Sequence, residues 1–183
     1  SELLGWRQRD HAAATSVSES KSRDEIERIL IRYGATGFQY GWDGPHRALV
    51  QFKVPLQPKV KPPRGDPKLL PPPIELAVKF ELPFLLQADK RFWKGAGWRE
   101  VGATQAMKRY EQDRRSRWRG LVLGIKAKLE MVESGITTFE EEFFAHLIDP
   151  QTGQTMSKKQ LPELIEAYAG KNAQLYLPPA GGT

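Results

Sequence analysis

Two stretches decide the fold: Arg47-Ala48-Leu49-Val50-Gln51-Phe52-Lys53-Val54 and Ile74-Glu75-Leu76-Ala77-Val78-Lys79-Phe80-Glu81-Leu82. In the first, Ala48, Val50, Phe52 and Val54 alternate with Arg47, Leu49, Gln51 and Lys53. In the second, Ile74, Leu76, Val78, Phe80 and Leu82 alternate with Glu75, Ala77, Lys79 and Glu81. Period two turns every second side chain to the same side, so both read as strands with one buried face. Just upstream, Gly37 to Trp42 and Arg47 to Val54 flank Asp43-Gly44, a hairpin signal lengthened by Pro45 and His46. Between the two deciding stretches, residues Pro55 to Pro73 hold eight of the chain's 14 prolines. Lacking N–H donors and fixed in φ, these mark a loop of extended character, and the strand beyond it is expected to lie antiparallel to the second.

Helical spacing surrounds this sheet. Ser22 with Glu25 matches a capping box, and Ile26, Ile29, Leu30 and Tyr33 share one face before Gly34, where a C-terminal glycine belongs. Phe84 to Arg99 read as a connection. From about Thr104 to Ser134 one long helix is predicted, with the stripe Ala106, Tyr110, Trp118, Leu121, Val122, Ile125, Leu129 and Val132, ended by Gly135. At 1.5 Å per residue it would run roughly 45 Å, enough to project or to frame a groove. Thr138 and Glu141 form a second capping box before a short helix carrying Phe139, Phe143 and Leu147. A last helix, about Leu161 to Ala169, has Pro162 in its first turn and is expected to bury Leu164, Ile165 and Tyr168. The fold class is α+β: a curved antiparallel sheet of three or more strands flanked by helices, one of them long and basic. Residues 1–14 read as a flexible N-terminal arm, 15–170 as a single domain with a proline-rich loop at 55–73, and 171–183 as a flexible C-terminal tail.

The chain has 183 residues, 28 Lys plus Arg against 22 Asp plus Glu, a net charge of +6, and no cysteine. Disulfides and thiolate metal sites are thereby excluded. No apolar run approaches the roughly 20 residues of a membrane span, and there is no N-terminal pattern of a secretion signal, so no membrane partner is expected. The charge is unevenly placed. Lys90 to Lys128 contains twelve basic and three acidic residues, a net of +9, which leaves −3 for the rest. A polyanionic partner fits that asymmetry better than an evenly spread +6 would.

Three groups of residues could meet such a partner. Lys90, Arg91, Phe92, Trp93, Lys94, Trp98 and Arg99 pack four cations and three rings into ten residues without an acid; cations track phosphates while rings stack on bases. Alternatively, Phe92 and Trp93 cap the core and the cations solvate a loop. Arg114, Arg115, Arg117 and Arg119 flank Trp118 on the long helix and could line a groove with bidentate phosphate donors, or form a solvated face. Trp118 itself, in register with Leu121, Val122 and Ile125, belongs to the core. Phe38, Tyr40 and Trp42 place three rings on one face of one strand, either exposed for stacking or buried as core.

Catalysis has less support. Glu140, Glu141 and Glu142 are consecutive and so diverge around a helix, whereas a two-metal nuclease needs converging oxygens. Glu75 and Glu81 share a strand face with Lys79, but no aspartate completes the set. His11, His46 and His146 are far apart, and nucleotide-hydrolysis and acyl-transfer motifs do not occur. No catalytic residue, metal or cofactor is assigned.

Lys21-Ser22 with Glu25-Ile26-Glu27, Arg32-Tyr33-Gly34-Ala35, Gly41-Trp42-Asp43-Gly44, Arg117-Trp118-Arg119, Lys126-Ala127-Lys128-Leu129-Glu130 and Gly135-Ile136-Thr137-Thr138-Phe139-Glu140-Glu141-Glu142-Phe143 together resemble a family of small uncharacterised proteins encoded by bacteriophages and prophages. The resemblance spans roughly residues 15 to 150 and is most specific from Arg117 to Phe143. It implies a phage or phage-like source and the cytoplasm of an infected bacterial cell, and brings no activity with it. The expected function is non-enzymatic binding of single-stranded nucleic acid, DNA in particular, with little sequence preference, in phage DNA replication or recombination. The alternative is a phage structural or adaptor protein that holds a protein partner or forms a homo-oligomer; a metal-dependent nuclease is third.

Overall fold

The computed structural model describes residues 15–56, 74–95, 97 and 99–169. The expected arm at 1–14, the tail at 171–183 and most of the proline-rich loop therefore lie outside the described residues.

Helix α1 (Glu19–Arg32) leads into strands β1 (Gly37–Trp42), β2 (Arg47–Leu56) and β3 (Ile74–Pro83). These form an open antiparallel sheet in the order β1-β2-β3. A short helix α2 (Lys90–Trp93) precedes the long helix α3 (Ala103–Glu133), followed by α4 (Phe139–Phe143), a 3-10 turn at Phe144–His146, and α5 (Met156–Tyr168). The architecture is α+β, with helices flanking a sheet.

Register explains the layers. Phe38 pairs with Phe52, Tyr40 with Val50 and Trp42 with Ala48, while the same β2 residues pair with Val78, Phe80 and Leu82 of β3. Directly paired residues share a face, so all nine side chains lie on one side of the sheet. There Val50, Phe52 and Val78 bury against Ile26 and Leu30 of α1, Trp118, Val122, Ile125 and Leu129 of α3, and Phe143 of α4. The opposite face is polar: Gln39 donates to Gln51 at 3.2 Å and Lys53 pairs with Glu75 at 3.2 Å. Beyond β3, Ile148 N–H donates to the Ala77 carbonyl at 2.8 Å, extending the sheet by one short bridge at Leu147.

Four sequence expectations need correction. The first helix starts a turn earlier than the Ser22–Glu25 box suggests. Ser18 is its cap, accepting from Lys21 N–H at 3.2 Å, because Ser22 faces the core and is fully buried. Pro55 and Leu56 continue β2, although the proline-rich loop was expected from residue 55. Strand β1 reaches only to Lys53, so Pro55 has no neighbour on that side to miss its N–H. The expected connection at 84–99 contains α2 and a bridge between Lys94 and Glu100. The last helix begins at Met156, holds Pro162 in its interior, and leaves Leu164, Ile165 and Tyr168 exposed.

Other signals act as read. Gly34 and Gly135 adopt φ of 84° and 73° after their helices, a conformation that costs a glycine little. Thr138 accepts from Glu141 N–H at 3.3 Å while the Glu141 carboxylate accepts from Thr138 N–H at 2.8 Å, a complete capping box.

Candidate nucleic-acid interface

The long helix does not stand away from the body as a basic rod. Its arginines mostly engage carboxylates of the same chain. Arg114 donates to both oxygens of Glu19 at 2.8 and 3.0 Å. Arg119 reaches Glu25 at 2.6 Å, and Lys126 pairs with the same carboxylate. Arg117 donates to Asp113 at 2.7 Å and to the Pro83 carbonyl at 3.0 Å. Arg115 holds Gln112 at 2.8 Å and approaches Glu111 at 3.8 Å, and Lys128 pairs with Glu142 at 3.0 Å. Lys126 and Arg119 hold the Glu25 carboxyl below its usual range against the opposing effect of burial. Bonding to Glu19 likewise raises the pKa of Arg114.

The aromatic row sits on the helix-covered face of the sheet but at its edge. Phe38 packs against the core, while Tyr40 and Trp42 are 50% and 47% exposed. Guanidinium groups lie over both exposed rings. Arg23 of α1 is 4.7 Å from the Tyr40 centroid and 5.6 Å from that of Trp118. Arg114 is 4.8 Å from Trp42, 4.5 Å from Phe84 and 5.7 Å from Tyr110. Arg114 stacks while its donors are held by Glu19 and Tyr110, so it clamps the rings to α1. Trp118 is fully buried, and its indole N–H has no acceptor among the described residues.

Residues 90–95 are more firmly held than their composition suggests. Asp89 caps α2 and pairs with Arg91 at 3.0 Å. Phe92 is buried with its ring edge-to-face on Tyr110 at 5.6 Å, so it does not offer a stacking surface. Trp93 is half-buried, and its indole donates to the Gln87 carbonyl at 2.8 Å. Lys94 pairs with Glu100 at 2.9 Å, Val101 N–H donates to the Trp93 carbonyl at 3.0 Å, and Arg109 ties the loop to α3 through the Lys94 carbonyl at 2.9 Å. Gly97 takes φ of 68° at the tip. Trp98 lies outside the described residues.

The four cations of the +9 segment without a carboxylate partner among the described residues are Lys90, Arg99, Lys108 and Arg109. Lys90 opens α2, Arg99 lies in the loop that follows, and Lys108 and Arg109 lie in the first turns of α3, to which Arg109 ties the loop. From α2 to the sheet edge, rings and stacked cations follow one another: Phe92 on Tyr110, Arg114 over Tyr110 and Trp42, Trp42 edge-on to buried Trp118, and Arg23 over Trp118 and Tyr40. Two surface pockets of about 230 and 240 Å³ share no lining residue with this strip. One is beside Tyr33 and Glu133 and the other is on the sheet near Gln39 and Gln51.

The carboxylates weighed for a metal site serve the fold. Glu141 caps α4, Glu142 holds Lys128 and Thr137, Glu75 holds Lys53 and Thr36, and Glu81 holds Lys158 at 2.6 Å. Among the described residues no group of three or more His, Asp or Glu could hold a metal ion. No helix described is long and apolar enough to cross a membrane.

The sequence expectation joined the loop and the long helix but did not include Arg23, Lys108, Arg109 and Tyr110, which the structure places beside them. It also missed the acids of α1 that neutralise the arginines. The one available signal was Glu19 and Glu25, placed six apart on a helix whose apolar face must meet the basic one. Compared with known proteins, the chain matches no family model, no curated protein sequence and no solved structure.

Proposed function

We propose that this protein binds single-stranded nucleic acid, DNA in particular, without acting on it as an enzyme, and serves DNA replication or recombination of a phage or prophage. The observation that carries this reading is that exposed Lys90, Arg99 and Lys108, on α2, the loop after it and the first turns of α3, have no carboxylate partner among the described residues, while Tyr40 and Trp42 stay half-exposed under Arg23 and Arg114. Phosphates meet these cations and bases stack on the rings, contacts that every sequence can make. Trp93 and Trp98 lie between Lys90 and Arg99 in sequence. Arg114, Arg117 and Arg119, committed to carboxylates, act by holding the rings and helices in place.

Fluorescence anisotropy with labelled oligonucleotides (single-stranded DNA, duplex DNA and RNA) at several salt concentrations tests this. Log affinity for single strands should fall against log salt with a slope of about −0.7 per phosphate neutralised. The triple variant Lys90→Ala, Arg99→Ala, Lys108→Ala should bind more weakly, with a slope shallower by about 2, and should unfold as the parent does. No retention at low salt, or an unchanged slope in the triple variant, refutes the proposal. The second reading, an adaptor that holds a protein or itself, draws support from one observation: the exposed apolar residues of α5.

A further inference from the structure

Helix α5 stands out from the body on a fastened base. Met156 N–H donates to the Leu147 carbonyl at 2.8 Å, Lys158 pairs with Glu81 at 2.6 Å and Lys159 with Asp149 at 2.6 Å. From Lys158 to Ala169 every residue is exposed. Leu161, Leu164, Ile165 and Tyr168 are each at least half exposed. Their spacing of i, i+3, i+4 and i+7 places them within one 100° stripe. A helix of 13 residues with a proline in its interior is marginal in water without a packed face.

Three features of the stripe specify what covers it. Its spacing is its own reverse about the midpoint between Leu164 and Ile165. An antiparallel copy therefore sets Leu161 against Tyr168 and Leu164 against Ile165, and the converse, as a two-fold interface requires. Of the residues bordering the stripe at 100° per residue, Lys158 alone is charged and is held by Glu81, while Gln160, Pro162, Ala167 and Ala169 are uncharged and Glu163 and Glu166 lie on the far side, so the carboxylates do not meet across the seam. In that arrangement Lys158 and Lys159 of each copy come level with the carboxyl end of the other helix, where the dipole is negative. Acids on the polar face make the helix a poor match for a nucleic acid or an anionic membrane, both of which select a basic one.

We infer that α5 is the dimerisation element of this protein, packing antiparallel on the α5 of a second copy about a two-fold axis through Leu164 and Ile165. The reading is independent of nucleic-acid binding. It sets two copies of the exposed cations Lys90, Arg99 and Lys108 on one particle.

Light scattering on the nuclease-treated full chain, from micromolar to millimolar concentration, should give twice the monomer mass. The variant Leu164→Glu, Ile165→Glu should give the monomer mass with unchanged circular dichroism outside the α5 contribution. The chain has no cysteine, so single introduced thiols report the geometry cleanly. Leu164→Cys should form a disulfide-linked dimer on mild oxidation. Leu161→Cys should not, because an antiparallel seam separates the two copies of residue 161 by about seven residues, roughly 10 Å along the axis. A monomer at every concentration, a dimer that survives the double glutamate variant, or cross-linking of Leu161→Cys as fast as Leu164→Cys overturns the inference.

Discussion

Arg114 is where the two views of the basic helix part, and removing it is the sharpest test of the fold described here. If the helix were a solvated phosphate-binding face, Arg114→Ala would leave stability almost untouched, because exposed ion pairs contribute about 0 to 1 kcal/mol. The side chain is only 16% exposed, its partner Glu19 only 25%, and the pair is bidentate. Hydrogen bonds to charged groups are worth about 1.5 to 3 kcal/mol, and breaking a fully buried pair costs about 3 to 5. A site between those limits places the loss near 2 to 3 kcal/mol. Stacking on Trp42 and Phe84 adds about 0.5 to 1 kcal/mol. With about 2 to 4 °C per kcal/mol for a chain of this size, Arg114→Ala should melt roughly 5 to 16 °C early. Arg115→Ala, which loses only same-helix partners, should melt within about 2 °C of the parent. Circular dichroism measures both. A cycle with Glu19→Gln and the double variant isolates the coupling, expected to exceed about 1 kcal/mol. A melting point for Arg114→Ala within about 1 °C of the parent, or additivity of the two single changes, refutes the strut.

Two further outcomes follow from buried rings. Trp118→Ala should lose about 3 to 5 kcal/mol of stability, while Trp118→Phe should lose far less because it also removes a buried N–H without an acceptor; chemical denaturation ranks them, and equal losses would contradict the packing. His146 stacks on Phe80 at 4.1 Å, and burial, then the nearby Lys128 charge, lowers its pKa. The unfolded state then binds the proton more readily, so this contribution to stability is complete above pH 6.5 and is lost as pH falls below it. His146→Gln should flatten the decline in melting temperature between pH 7 and 5.

The sheet was legible because period-two alternation over nine residues leaves one solution for which face is buried, and Ala48, Val50, Phe52, Val78 and Phe80 occupy it. The ends of α3 were legible to within a residue, since Gly135 and the Thr138 box act locally. The N-terminus of α1 was not: Ser18 and Ser22 are both good caps by composition, and only the core contact of Ser22 decides between them. For α5, the expectation that Leu164, Ile165 and Tyr168 are buried assumed that an apolar stripe packs on its own domain, which a helix at the rim need not do. The surroundings of the candidate site were half legible. Composition located the rings and cations, but the partners of Arg114 and Arg119 lie more than ninety residues away in sequence, and only the α1–α3 packing brings them together.

That packing gives the charge asymmetry a meaning beyond partner recognition. The +9 of residues 90 to 128 and the −3 of the remainder are largely two sides of one set of internal pairs, in which Glu19 and Glu25 of α1 and Glu142 of α4 meet Arg114, Arg119, Lys126 and Lys128. Each acid sits in a different helix from its cation, so the pairs fix how α1 and α4 seat on α3, and the apolar stripe alone would allow the helices to slide. Neutralisation by acids of other helices is confined to the part of α3 that α1 and α4 cover. Toward its N-terminus neither α1 nor α4 supplies an acid, and there the cations keep their field. The same helix is therefore a structural strut over its middle and C-terminal turns and a source of positive potential at exposed Lys108 and half-buried Arg109. In the proposed reading a polyanion meets that end of the molecule, where binding need not displace an internal carboxylate.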